Sequence, residues 1–144
     1  MLRGISNLLS PELLKILMEM GHGDELVLGD GNFPAVSHAQ RLLRADGHGI
    51  PALLDAILPL FPLDYDVDFS AVLMDSRGVE PAVWKTYREK LGAYPDGDKQ
   101  LLIIQKPAFY DRAQKAYCVL ATGETEQFAN LIIRKGVIKS SPLV

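Results

Sequence analysis

Five short, uninterrupted apolar runs divide this chain: Leu26-Val27-Leu28, Ala71-Val72-Leu73-Met74, Leu101-Leu102-Ile103-Ile104, Cys118-Val119-Leu120 and Leu131-Ile132-Ile133. A strand with one face in water alternates apolar with polar residues, whereas a continuous run calls for cover on both faces. The segments between the runs supply that cover. Ser10 and Pro11 suit the N-cap and first position of a helix that carries Leu13, Leu14, Leu17 and Met18 on one side, and Gly21 is placed to end it. A second helix is predicted from Pro51 to about Leu60, bounded by Pro59 and Pro62. A third, Pro81 to Leu91, gathers Val83, Trp84, Tyr87 and Leu91, and a fourth spans Ala108 to Ala116. Helices alternating with apolar strands predict an α/β fold: one layered domain over 1–144, its central sheet mostly parallel and flanked by helices. Residues 138–144 read as a loose C-terminal tail. Ligands on such sheets bind beyond the carboxyl ends of the strands, where Asp30 and Lys106 fall.

Composition narrows the function. A content of 48 % hydrophobic and 23 % charged residues belongs to a folded globular chain. The net charge is −3 and the basic residues are scattered, so nucleic acid is not an expected partner. No apolar run approaches the roughly 20 residues of a membrane helix, and Ser10-Pro11-Glu12 cuts off the Leu8-Leu9 patch before it could form a signal peptide. Cys118 is the only cysteine; it reads as a small buried hydrophobe, and a cytoplasmic location is expected. No cofactor is expected either. There is no His-x-x-x-His pair or Cys/His cluster, no phosphate loop or dinucleotide fingerprint, and no Gly-x-Ser-x-Gly elbow.

His22 carries the clearest chemistry. It lies in the turn Met20-Gly21-His22-Gly23-Asp24-Glu25, between the first helix and the first apolar run, and that run ends at Asp30. Imidazole titrates nearest neutrality and can both give and take a proton. Without a thiol nucleophile or metal cluster nearby, the pattern suits a reaction that only moves protons. Asp24 has two readings, orienting His22 or forming the turn. Arg112 and Lys115 read as the solvated basic face of a helix, and His38 and His48 as ordinary polar positions.

Several motifs in order resemble the RbsD/FucU family of ribose pyranases and fucose mutarotases, closer to the fucose branch. They are Ser10 to Lys15, Met20 to Glu25, Asp30 with Phe33-Pro34-Ala35, Arg44 to Gly47, Ala56 to Phe61, Ala108 to Ala116, Thr122-Gly123-Glu124, and Asn130 to Val137. The resemblance implies an RbsD-like fold and a monosaccharide mutarotase that interconverts anomers, or pyranose and furanose forms, by acid–base ring opening. It implies His22 as the catalytic acid/base, and Asp30, Lys106, Phe128, Ala129 and Asn130 as substrate-binding residues. It also implies a homo-oligomer, a decamer of two pentameric rings, with His22 and Asp30 on one subunit's side of a shared pocket and Lys106 and Asn130 on the other. Apolar surface on helices bearing Trp84, Tyr87 and Tyr110 is expected to mark the subunit interface. Two positions depart from the pattern. Lys106 stands where the fucose branch has an arginine, which loses the planar two-hydroxyl fork. Phe128 stands where the family has a tyrosine, which keeps a stacking ring without its hydroxyl. The alternative is a sugar-binding protein without turnover.

Overall fold

The computed structural model describes residues 1–140. Residues 141–144 of the expected tail lie outside the described residues, and 138–140 carry no regular structure.

Each apolar run forms a strand: β1 (Glu25–Gly29), β3 (Phe69–Met74), β4 (Gln100–Ile104), β5 (Cys118–Thr122) and β6 (Leu131–Arg134). The helix α1 (Pro11–Glu19) precedes them, and α3 (Ile50–Ile57), α4 (Ala82–Gly92) and α5 (Lys106–Lys115) lie between them. Ser10 caps α1 as expected, its side chain accepting the Leu13 N–H at 3.1 Å. Met20, already extended, ends that helix one residue before Gly21. α5 begins at Lys106, earlier than expected, because Pro107 is tolerated in a first turn. α3 stops at Ile57, short of Leu60. Two elements were not anticipated: the short α2 (Ala35–His38) and the edge strand β2 (Leu42–Ala45). β2 is an edge strand with partial cover, and its only apolar pair, Leu42-Leu43, is broken off by the charged Arg44, so no solid apolar run marks it.

The six strands form one sheet in the order β2-β5-β1-β6-β3-β4. β5 pairs parallel with β1 and β2, and β3 with β4, while β6 runs antiparallel between β1 and β3. That reversal decides what meets what. The residues just before β6 reach the edge where β1, β3 and β4 end, and the end of β6 lies beside the start of β1, with Arg134 opposite Glu25.

Both faces of the sheet are covered. Leu26, Leu28, Leu73, Leu131 and Ile133 pack with α1, α3 and α4, and Val27, Val72, Val119 and Ile132 pack with Phe33 and α5. Trp84 and Tyr87 are 3 % and 0 % exposed within this one chain. They are therefore core residues, and the expectation that they supply interface surface is corrected. On the edge strand β4, Ile103 remains 45 % exposed.

Candidate active site at the carboxyl edge of the sheet

A cavity of about 540 Å³ opens at the carboxyl edge, lined by Asp30, Phe33, Lys106, Tyr110, Phe128 and Asn130 among others. That volume is within the usual range for a small-molecule site, about 300–1,000 Å³. Four of the six sequence-selected residues meet here, from three separate parts of the chain.

Asp30 follows directly on β1, and Phe33 folds back over the strand end. A Cβ at Gly29 would sit 2.8 Å from the Phe33 ring, so the close approach requires glycine. The Asp30 N–H donates to Asn130 Oδ1 at 2.7 Å, and Asp30 Oδ1 accepts the Asn32 N–H at 2.9 Å. Burial pushes the Asp30 carboxyl up; the N–H groups of Asn32, Ala129 and Phe33 pull it back, and Glu124 adds a smaller upward push. The net result lies above its ordinary 3.8. Because Asn130 Oδ1 is occupied, the amide presents its NH₂ as the donor for a ligand.

Phe128 lines the cavity from the left-handed region, at φ 56°, where a side chain with a Cβ is strained. α4 holds it there. Trp84 Nε1 donates to the Phe128 carbonyl at 2.9 Å, and the Tyr87 hydroxyl donates to the Ala129 carbonyl at 2.6 Å. Ala129, expected among the substrate-binding residues, does not line the cavity. It is fully buried in the core, and its backbone N–H instead supports Asp30. Lys106 is exposed at the cavity mouth with Nζ 5.5 Å from the Tyr110 ring centroid. Arg77 also lines the cavity and brings a guanidinium. Sequence reasoning missed it, although the turn Ser76-Arg77-Gly78 after a buried strand marks a carboxyl-edge loop.

His22 is at the other edge. β1 separates it from Asp30 by about 15 Å at the usual rise per residue, so the two do not form one side of a pocket as expected. Gly23, at φ +87°, turns the chain so that a Cβ there would touch Arg134 Nη2 at 3.0 Å. His22 Nε2 lies 2.9 Å from Asp64 Oδ1, and Asp64 Oδ2 accepts Arg134 Nε at 2.7 Å. Burial pushes Asp64 up, but the Asp66 N–H, Arg134 and His22 outweigh it and hold the carboxyl below its ordinary value. Tyr65 lies nearly parallel to the imidazole, at 16°. Asp24 serves the turn, accepting the Gly21 N–H at 2.8 Å. Arg112 is not simply solvated, since it grips the buried Glu25 carboxylate at 2.9 and 2.7 Å. Oxygen and nitrogen atoms of His22, Asp64 and Asp66 lie within 4.8 Å of one another, a spacing that could hold a cation. The Arg134 guanidinium already neutralises Asp64 there. Nothing in the local sequence pairs His22 with Asp64; the one signal is a carboxylate set between Leu63 and Tyr65.

Fold and cavity together define an α/β protein with a polar small-molecule pocket at the carboxyl edge of its sheet. The chain belongs to the RbsD / FucU transport protein family, whose model matches residues 3–138. It is 47 % identical over 152 residues to the fucose mutarotase of Homo sapiens, covering 99 % of this chain and 98 % of that one. It is 44 % identical over 140 residues to the L-fucose mutarotase of Histophilus somni, covering 95 % and 97 %. The crystal structure of the fucose mutarotase from Streptococcus pneumoniae in complex with L-fucose superposes with a TM-score of 0.91 at 47 % identity, covering 96 % of this chain and all of that one. Among the described residues no helix is long and apolar enough to cross a membrane.

Proposed function

We propose that this protein is a cofactor-independent mutarotase for a reducing monosaccharide, with L-fucose as the first candidate. The observation that carries the reading is the match, over nearly the whole chain, to a fucose mutarotase bound to L-fucose. The cavity suits the task. Asp30 accepts hydroxyl hydrogens, the Asn130 NH₂ and Lys106 ammonium donate, and the Phe128 ring stacks on an apolar sugar face.

Ring opening needs a base on the anomeric hydroxyl and a proton for the ring oxygen. The base takes the hydroxyl proton, the bond from C1 to the ring oxygen breaks to leave the aldehyde, and the ring oxygen takes up a proton. Closure on the other face of the aldehyde reverses these transfers and yields the other anomer; closure through a different hydroxyl changes ring size. One imidazole can act as acceptor and donor in turn, and general acid–base catalysis is typically worth about 10² to 10⁴-fold. His22 is assigned that role.

His22 and the cavity lie at opposite edges of the sheet, which supports a pocket completed by a neighbouring copy. Its His22 would face the Asp30, Lys106, Phe128 and Asn130 of this one. The earlier division, with His22 and Asp30 on the same side, gives way to this one. A decamer of two pentameric rings is the assembly we favour. A lone cysteine buried in the core, its thiol pushed up to about 11 by burial, accords with a cytoplasmic setting. Exchange NMR on fucose and ribose, with and without protein, tests the reading. Fucose anomer exchange should accelerate, and His22→Ala should lose at least about tenfold while staying folded. Fucose binding with no acceleration by the wild type would favour the non-catalytic alternative.

A further inference from the structure

We infer that Arg77 is a specificity-determining residue of the cavity, its guanidinium holding two neighbouring hydroxyls of the sugar at once. The inference deepens the mutarotase reading above and rests on it. Three non-glycine residues among those described take a positive φ: Arg77 at 61°, Asp96 at 62° and Phe128 at 56°. Aspartate tolerates that region comparatively well, whereas long or bulky side chains do not. Arg77 and Phe128 are the two of the costly kind, and both line the cavity. The turn that carries Arg77 does not depend on its side chain. The Asp75 N–H donates to the Ile104 carbonyl at 2.8 Å, the buried Ser76 hydroxyl donates to the Val79 carbonyl, and Gly78 follows at φ 89°. Glycine at position 77 would serve this turn without strain. An arginine there is explained by what its head group meets in the cavity.

The head group is free to do so. The carboxylates of this region have other partners: Glu80 pairs with Arg88, Asp75 accepts Gln105 Nε2 at 3.4 Å, and Asp30 accepts the Asn32 N–H. Arg77 itself has no ion pair or hydrogen bond among the described residues. The other donors around the cavity are of a different kind. Lys106 is a point charge, and Asn130 has only its NH₂ to offer. Arg77 brings the one guanidinium among the described lining residues, a planar fork whose N–H groups run side by side. Two hydroxyl oxygens on adjacent ring carbons match that fork when they lie side by side, and fail to match it when they point apart. Arg77 therefore selects for the configuration of a hydroxyl pair, which a lysine or an amide cannot do.

Calorimetric titration of the assembled protein with L-fucose, and with deoxy analogues that each lack one hydroxyl, tests this. Arg77→Gly suits the turn and should fold as the wild type does, yet bind L-fucose about ten- to a hundredfold more weakly. Arg77→Lys keeps the charge without the fork and should recover only a small part of that affinity. The wild type should lose affinity for an analogue missing either gripped hydroxyl, whereas Arg77→Gly should bind that analogue no worse than L-fucose. L-fucose affinity that survives Arg77→Gly overturns the inference. So does full recovery by Arg77→Lys, or an equal loss for every analogue in wild type and variant. A wild-type protein that binds and exchanges no sugar tested sinks the mutarotase reading itself, and this inference with it.

Discussion

Two buried aspartates, Asp30 and Asp64, experience opposite environments, and the difference follows from their partners. Asp64 faces a guanidinium and an imidazole, which hold it ionised; Asp30 faces mainly backbone N–H groups, with Glu124 nearby, and burial prevails. The sign of the Asp30 effect can be worked out. Its folded pKa is raised above 3.8, so between the two values the folded state binds more protons than the unfolded chain. Its favourable contribution to stability is therefore full below 3.8 and declines as pH rises through the folded value. Sugar binding should run the other way, because only the ionised carboxylate accepts two hydroxyl hydrogens. Fucose affinity is expected to weaken on acidification while the pH is still above 3.8, and Asp30→Asn should flatten that dependence. Calorimetric titration across the acid range checks it; an affinity that stays level to below 3.8 would refute it.

α4 acts as a strut at the scale of elements. It contributes no residue to the list of expected ligands, yet Trp84 and Tyr87 hold the carbonyls of Phe128 and Ala129 and so keep the strained turn in place. Val83 N–H adds a third tie, to Glu126 Oε1 at 3.2 Å. Tyr87→Phe keeps the buried ring but leaves the Ala129 carbonyl without its partner. The cost should be about 1–3 kcal/mol of stability, visible as a lower denaturation midpoint. The variant should also bind fucose more weakly, because Phe128 and Asn130 flank the loosened peptide. Weaker stability with unchanged binding would limit α4 to a role in the core.

For the whole molecule, the decisive fact is that β6 runs against its neighbours. Its amino end delivers Phe128 and Asn130 to the cavity, while its carboxyl end delivers Arg134 to the Asp64–His22 cluster. One chain thus holds both halves of the proposed site, too far apart to work together. A shared pocket predicts complementation. His22→Ala and Asn130→Ala proteins, each inactive alone, should regain activity after co-refolding, since some interfaces then pair two intact halves. Mixed assemblies as inactive as their parents, or a fully active monomer by light scattering, would show that the halves do not cooperate across subunits.

The solid apolar runs already determined the inner architecture. An inner strand buried on both faces has little room for polar side chains, so Leu26-Val27-Leu28 and Leu131-Ile132-Ile133 could be read as strands wherever they paired. The edge strand β2 escaped because Arg44 interrupts Leu42-Leu43-Arg44-Ala45, whereas the other edge strand, β4, keeps an unbroken Leu101-Leu102-Ile103-Ile104 and was legible. Of the cavity residues, Asp30, Lys106, Phe128 and Asn130 were named through the family resemblance, and Asp30 and Lys106 were also legible as carboxyl-edge positions because they follow strands. What no linear reading could supply was the direction of β6. Pairing direction depends on which strands become neighbours, and only the folded sheet decides that. The same holds for Asp64: its meaning comes from His22 and Arg134, 42 and 70 positions away in sequence. Such a contact exists only once the sheet has brought those three residues to one edge.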